Sequence, residues 1–116
     1  RVLFRSSFLR PVMDPRHFPE QYRVKAQEWA KADGEARKLE KMEKIIFSEI
    51  VNQSEGAISA REHAARANPA YKDASQAAIG ARTRANLLKA ELEGMEMAWQ
   101  TWRTLAATRR AEMGIQ

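Results

Sequence analysis

The sequence predicts an all-α fold, an antiparallel two-helix coiled-coil hairpin with a short third helix at the turn. Three observations carry that expectation. Apolar and small residues recur in steps of three and four along two long stretches, which puts them on one face of each helix. Only 5 of the 116 residues are Gly and 4 are Pro, so helix breakers are few, and the glycines are scattered singly through helices and turns. With 44% hydrophobic and 30% charged residues, the chain has enough apolar surface for a packed helical domain and too much for a disordered tail.

The segment "MDPRHFP", residues 13–19, carries Pro15 and Pro19, each of which lacks an N–H and restricts its predecessor. It reads as irregular chain leading into a first helix over 20–53, with Pro19 in the first turn. The inward face of that helix runs Tyr22, Ala26, Trp29, Ala32, Ala36, Leu39, Met42, Ile46, Ile50. Gly34 costs about 1 kcal/mol relative to Ala without ending the helix.

"NQSEGA" stops the first helix. Ser59 and Glu62 have the spacing of a capping box, in which each side chain satisfies the other's free amide, and they open a short second helix over 59–67. Its Ile58, Ala60 and Ala64 are expected to pack on Ile45, Phe47 and Val51. Asn68 followed by Pro69 is a second start signal, an Asn cap with Pro at the first helical position. The third helix is predicted over 69–113, and its seam runs Tyr71, Ala74, Ala78, Ala81, Ala85, Leu88, Leu92, Met95, Trp99, Trp102, Ala106, Arg109, Met113. Such a sustained heptad repeat specifies a left-handed coiled-coil face.

Two long helices joined by a short connection pack antiparallel. A reversal between them is expected to set Ile46 and Ile50 against Ala78, Ala81 and Ala85, and Ala32 and Ala36 against Leu92, Met95 and Trp99. Large residues then meet small ones, and Glu40 stands beside Lys89. The packing seam is carried by Trp29, Leu39, Ile46, Ile50, Leu88, Leu92, Met95, Trp99 and Trp102.

The opening "RVLFRSSFLR" is basic, contains Ser and has no acid, the composition of an organellar transit peptide. "RVLFRS" also resembles the in-frame translation of the end of a common sequencing adapter. We read residues 1–12 as non-native read-through on an assembled environmental DNA fragment, with Met13 as the start and 13–116 as one helical domain. Setting aside Arg1, Arg5 and Arg10 leaves 17 basic against 15 acidic residues, so the net charge falls from +5 to +2. A strongly basic balance, which would have invited a nucleic-acid reading, mostly disappears.

The chain has no cysteine, which excludes disulfides, thiolate metal sites and thiol nucleophiles. Its longest apolar run is far short of the roughly 20 residues that span a bilayer, so no membrane partner is expected. His17 and His63 have no metal-ligand spacing, no Gly-rich phosphate loop or nucleophile elbow occurs, and Glu40, Glu43, Glu91, Glu93 and Glu96 lie on solvated faces. No catalytic residue, cofactor or metal is expected. On the flank of the third helix, Arg82, Lys89, Arg103 and Arg110 share one heptad position, broken only by Glu96, and form a basic ridge that could follow a phosphate backbone or a partner. Acids of the first helix, Glu28, Asp33, Glu35, Glu40 and Glu49, are its competing intramolecular partners. Trp99 and Trp102 read as core, with base stacking the lesser use.

"AREHAARANPAYKD" and "WQTWRTLAATRRAEM" resemble a family of small, uncharacterised helical proteins of tailed bacteriophages and prophages, over residues 20–113. The resemblance implies a non-enzymatic phage protein in the bacterial host cytoplasm and brings no activity or binding residues with it. A lone two-helix hairpin buries little, so a homodimer or another phage or host protein is the expected partner. The alternative is an accessory single-stranded nucleic-acid binder acting in phage replication or recombination.

Overall fold

The computed structural model describes residues 14–115, so the read-through assigned to 1–12 and the start at Met13 lie outside the described residues. Those residues form three helices and no strand: α1, Phe18–Gln53, of 36 residues; α2, Ile58–Ala67, of 10; and α3, Pro69–Ile115, of 47. None of the three is long and apolar enough to cross a membrane.

α1 begins within the proline-containing stretch, at Phe18 rather than Glu20. The Asp14 carbonyl accepts the His17 and Phe18 N–H groups at 2.9 and 2.8 Å, and its carboxylate accepts the Arg16 N–H at 3.0 Å. This turn satisfies amides that a helix start leaves without partners. Pro19 has no such amide to satisfy, so the helix runs over it.

At the other end of α1, the Ser54 hydroxyl donates to the Ile50 carbonyl at 2.7 Å. Gly56 then turns the chain with φ at 103°, a conformation that other residues adopt only under strain. The capping box expected at Ser59 and Glu62 is not formed. Ala57, extended and without a side-chain cap bond, precedes α2, and Ser59 falls inside the first turn. The turn at Gly56 sets this start, and Arg61 Nε reaches back to donate to the Gly56 carbonyl at 2.9 Å. The same phase corrects the expected packing of α2. Ile58, Ala60 and Ala64 are exposed, while Ala65 is fully buried and the Arg66 guanidinium lies 5.5 Å from the centre of the Phe47 ring.

Asn68 serves both neighbouring helices. Its N–H donates to the Ala65 carbonyl at 3.2 Å at the end of α2, and its Oδ1 accepts the Ala70 N–H at 2.8 Å at the start of α3.

By its internal contacts the chain divides into two compact units, each drawing on α1 and α3: Gln27–Ala90, which includes α2, and the residues up to Ala26 together with those from Glu91 on. In the Gln27–Ala90 unit the core is Ala32, Ala36, Ala85 and Leu88, with Trp29 and Ala81 packed against it, and Ala65 and Ala78 also buried. Leu39, Ile46 and Ile50 are half-buried, whereas Met42 is exposed. The three-and-four steps pass instead through half-buried Glu43, whose carboxylate accepts the Tyr71 hydroxyl at 3.3 Å.

These contacts correct the expected register. Ala32 and Ala36 share their cluster with Ala85 and Leu88, and Glu40 is held by Arg82, two turns nearer the start of α3 than Lys89. The chain reverses at Gly56 rather than midway between the two long helices, and α2 runs on the returning limb. Residues of α3 therefore meet α1 closer to its beginning.

In the other unit Phe18 and Leu92 are buried, and Met95 and Trp99 are half-buried. Phe18 stacks on Trp99 with ring centres 4.6 Å apart and planes within 9°. Trp99 in turn stacks on Trp102 at 5.3 Å, leaving Trp102 38% exposed.

Candidate interaction surface

Arg82, the first member of the expected basic ridge, is committed within the chain. Its guanidinium donates to both carboxylate oxygens of Glu40, at 2.9 and 3.0 Å, and to Asp33 at 2.8 Å. Arg37 closes the group through an ion pair of 2.9 Å with Asp33, one turn earlier on α1. The planar fork of an Arg suits two carboxylates presented seven residues apart on a single helix face. Hydrogen bonds from Arg82 hold the Asp33 and Glu40 carboxyls below their ordinary values against the opposing effect of burial. The same bonds, first to Glu40 and then to Asp33, raise Arg82, which stays charged throughout.

Lys89 is exposed in the same unit, and no ion pair joins it to Glu40 among the described residues. Arg103 and Arg110 are exposed in the other unit, beside Trp99 and Trp102, and have no acidic partner among the described residues. The four residues thus differ in kind: one is a clamp between helices, and three carry charge to solvent.

The remaining polar groups singled out in the sequence are mostly partnered. Glu91 meets Lys25 Nζ at 3.5 Å, and Glu96 accepts the Tyr22 hydroxyl, a bond that raises the tyrosine's pKa. His17 lies 3.7 Å from the Asp14 carboxylate, and His63 is exposed on α2. No group of three or more His, Asp or Glu residues among the described ones could hold a metal ion.

What the surface offers instead is apolar. Val24, Ile79, Leu87, Met97 and Leu105 are all more than two-fifths exposed. In the unit that includes Glu91 onward, a groove has Phe18, Gly94, Met95 and Ala98 as its apolar lining and Lys25 and Glu91 at its rim. Phe18, central to this unit, was missed in the sequence because two prolines flank it. The signal available was Asp14, an acid able to cap a helix that opens with Pro.

Comparison with protein-family models, with curated proteins and with solved structures finds no match to the chain.

Proposed function

We propose that this chain is a non-enzymatic interaction or assembly protein that works as an antiparallel helical hairpin and self-associates, two copies forming a four-helix bundle. The observation that carries this reading is the mismatch between what is buried and what is left out. In the Gln27–Ala90 unit the buried residues are mostly alanines, while Ile79 and Leu87 are each 63% exposed; in the other unit Met97 is 70% and Leu105 57% exposed. Large apolar side chains left in water mark a surface that gains from being covered. The setting in a tailed bacteriophage, within the bacterial host cytoplasm, rests on the resemblance of "AREHAARANPAYKD" and "WQTWRTLAATRRAEM". Light scattering on the full chain across the micromolar range tests the reading: a dimer mass is expected, and a monomer mass at every concentration overturns it.

A second reading, an accessory binder of single-stranded nucleic acid, is favoured by one observation. Arg103 and Arg110 are exposed beside the partly exposed Trp102, which pairs cations with a stacking surface. Binding to a single-stranded oligonucleotide that weakens steeply with salt supports it, and binding indifferent to salt rules it out.

A further inference from the structure

We infer that the second copy docks antiparallel on the outer face of α3, with the two-fold axis at Thr101, so that Leu105 of each copy seats in the Gly94–Ala98 groove of the other. The inference rests on the self-association proposed above and says where it happens.

The helical repeat puts Gly94, Met97, Ala98, Thr101 and Leu105 on the side of α3 opposite Leu92 and Trp99, the residues that pack inward in the same unit. All five are uncharged, and all are exposed. A two-fold interface must be complementary to itself, and this face is, about Thr101. Reversal about that residue brings Leu105 of one copy over Gly94 and Ala98 of the other, and Met97 over Thr104 and Thr108. Leu105 and Met97 of opposite copies lie level with one another, each set among the small residues it covers. The groove that receives Leu105 already exists in the single chain, lined by Phe18, Gly94, Met95 and Ala98.

Gly94 supports the same arrangement. A Cβ there would meet nothing within 4 Å, as at Gly34 and Gly80, and beside the groove its absence leaves room for a second backbone to come close.

Charge agrees as well. Around Thr101, α3 carries Lys89, Glu91, Glu93 and Glu96 on one side and Arg103, Arg109, Arg110 and Glu112 on the other, so the first stretch is net acidic and the second net basic, with Glu112 the one acid that the reversal brings near Glu91. The reversal sets Arg109 of one copy beside Glu91 of the other, at the rim of the groove, where the Glu91 carboxylate has one oxygen on Lys25 and a second to offer. A parallel pairing would instead set acid against acid and base against base.

The full chain has no cysteine, so single cysteines report the geometry cleanly. With Thr101→Cys the two thiols meet on the axis and cross-link on oxidation or with a short bis-maleimide. With Thr108→Cys they lie about 21 Å apart along the helices and do not. Cross-linking at both positions means a parallel pair and overturns the inference. Cross-linking at neither, in a chain that light scattering finds dimeric, overturns it while leaving self-association standing. A monomeric chain removes both. Gly94→Leu adds a side chain to the groove at a position where a Cβ meets nothing within 4 Å, so helix content is expected to be kept and the dimer lost; a dimer of undiminished affinity counts against the inference. Arg109→Glu weakens the dimer about three- to tenfold, and adding Glu91→Arg restores it. Failure of the second change to restore affinity argues against this alignment.

Discussion

Leu87 and Leu88 are neighbours in sequence and opposites in environment, which makes them a direct test of the packing in the Gln27–Ala90 unit. Leu88 is 8% exposed, within the cluster of Ala32, Ala36 and Ala85, while Leu87 is 63% exposed. Leu88→Ala removes three buried carbons, worth about 2 kcal/mol in transfer from water alone. The residues around the vacated space are mostly alanines with no side-chain length to move into it, so a cavity contribution of about 1 kcal/mol adds to the loss. The expected cost is about 3 kcal/mol, or roughly 12 °C in Tm for a chain of this size. Leu87→Ala is expected to change stability by less than about 0.5 kcal/mol, or roughly 2 °C. Thermal unfolding followed by circular dichroism measures both, and working at the lowest usable concentration keeps any second copy out of the comparison. Equal shifts, or a larger one for Leu87, would refute the assignment of the inward face and with it the alanine–leucine core.

Two further predictions concern polar groups. Because Arg82 lowers the Asp33 and Glu40 carboxyls in the folded chain, their contribution is complete above the unfolded carboxylate range, near about pH 4, and is lost as pH falls through the lower folded values. Tm should therefore drop on acidification below about pH 5, and Arg82→Gln should flatten that limb; identical acid limbs in the two proteins would contradict the clamp. Asn68→Ala removes the cap on the Ala70 amide and is expected to cost about 1 kcal/mol, read as a lower urea midpoint, while Asn68→Asp, which keeps the accepting oxygen, should recover most of it.

The helices were legible because their punctuation is local. Asn68–Pro69 and the "NQSEGA" stop act on the backbone within a few residues, and no tertiary contact is needed to read them. Phase and register were less legible, for two different reasons. α2 takes its phase from Gly56, whose positive φ moves the helix start to Ile58 and turns Ala65 inward in place of Ala64; the competing capping-box spacing at Ser59 was visible and lost. Register failed because the seam is built of near-identical small residues. Ala32 and Ala36 fit against Leu92 and Met95 on paper as well as they fit against Ala85 and Leu88 in the molecule, and polar contacts between the helices, such as the reach of Arg82 to two acids, separate the alternatives. The exposed apolar residues were visible as positions off the seam, whereas the groove beside Gly94 required the placement of Phe18.

That seam of alanines has a mechanical consequence. A smooth track of methyl groups holds two helices close but does little to stop one sliding along the other by a heptad, since the slipped pairing buries nearly the same surface. The teeth that prevent slippage are polar and lie outside the track: Arg82 between Asp33 and Glu40, and Tyr71 on Glu43 in one unit, Tyr22 on Glu96 and Lys25 near Glu91 in the other. Adhesion and alignment are thus assigned to different chemistries. Acid and high salt, which leave methyl contacts intact, should loosen the alignment before they loosen the helices from each other.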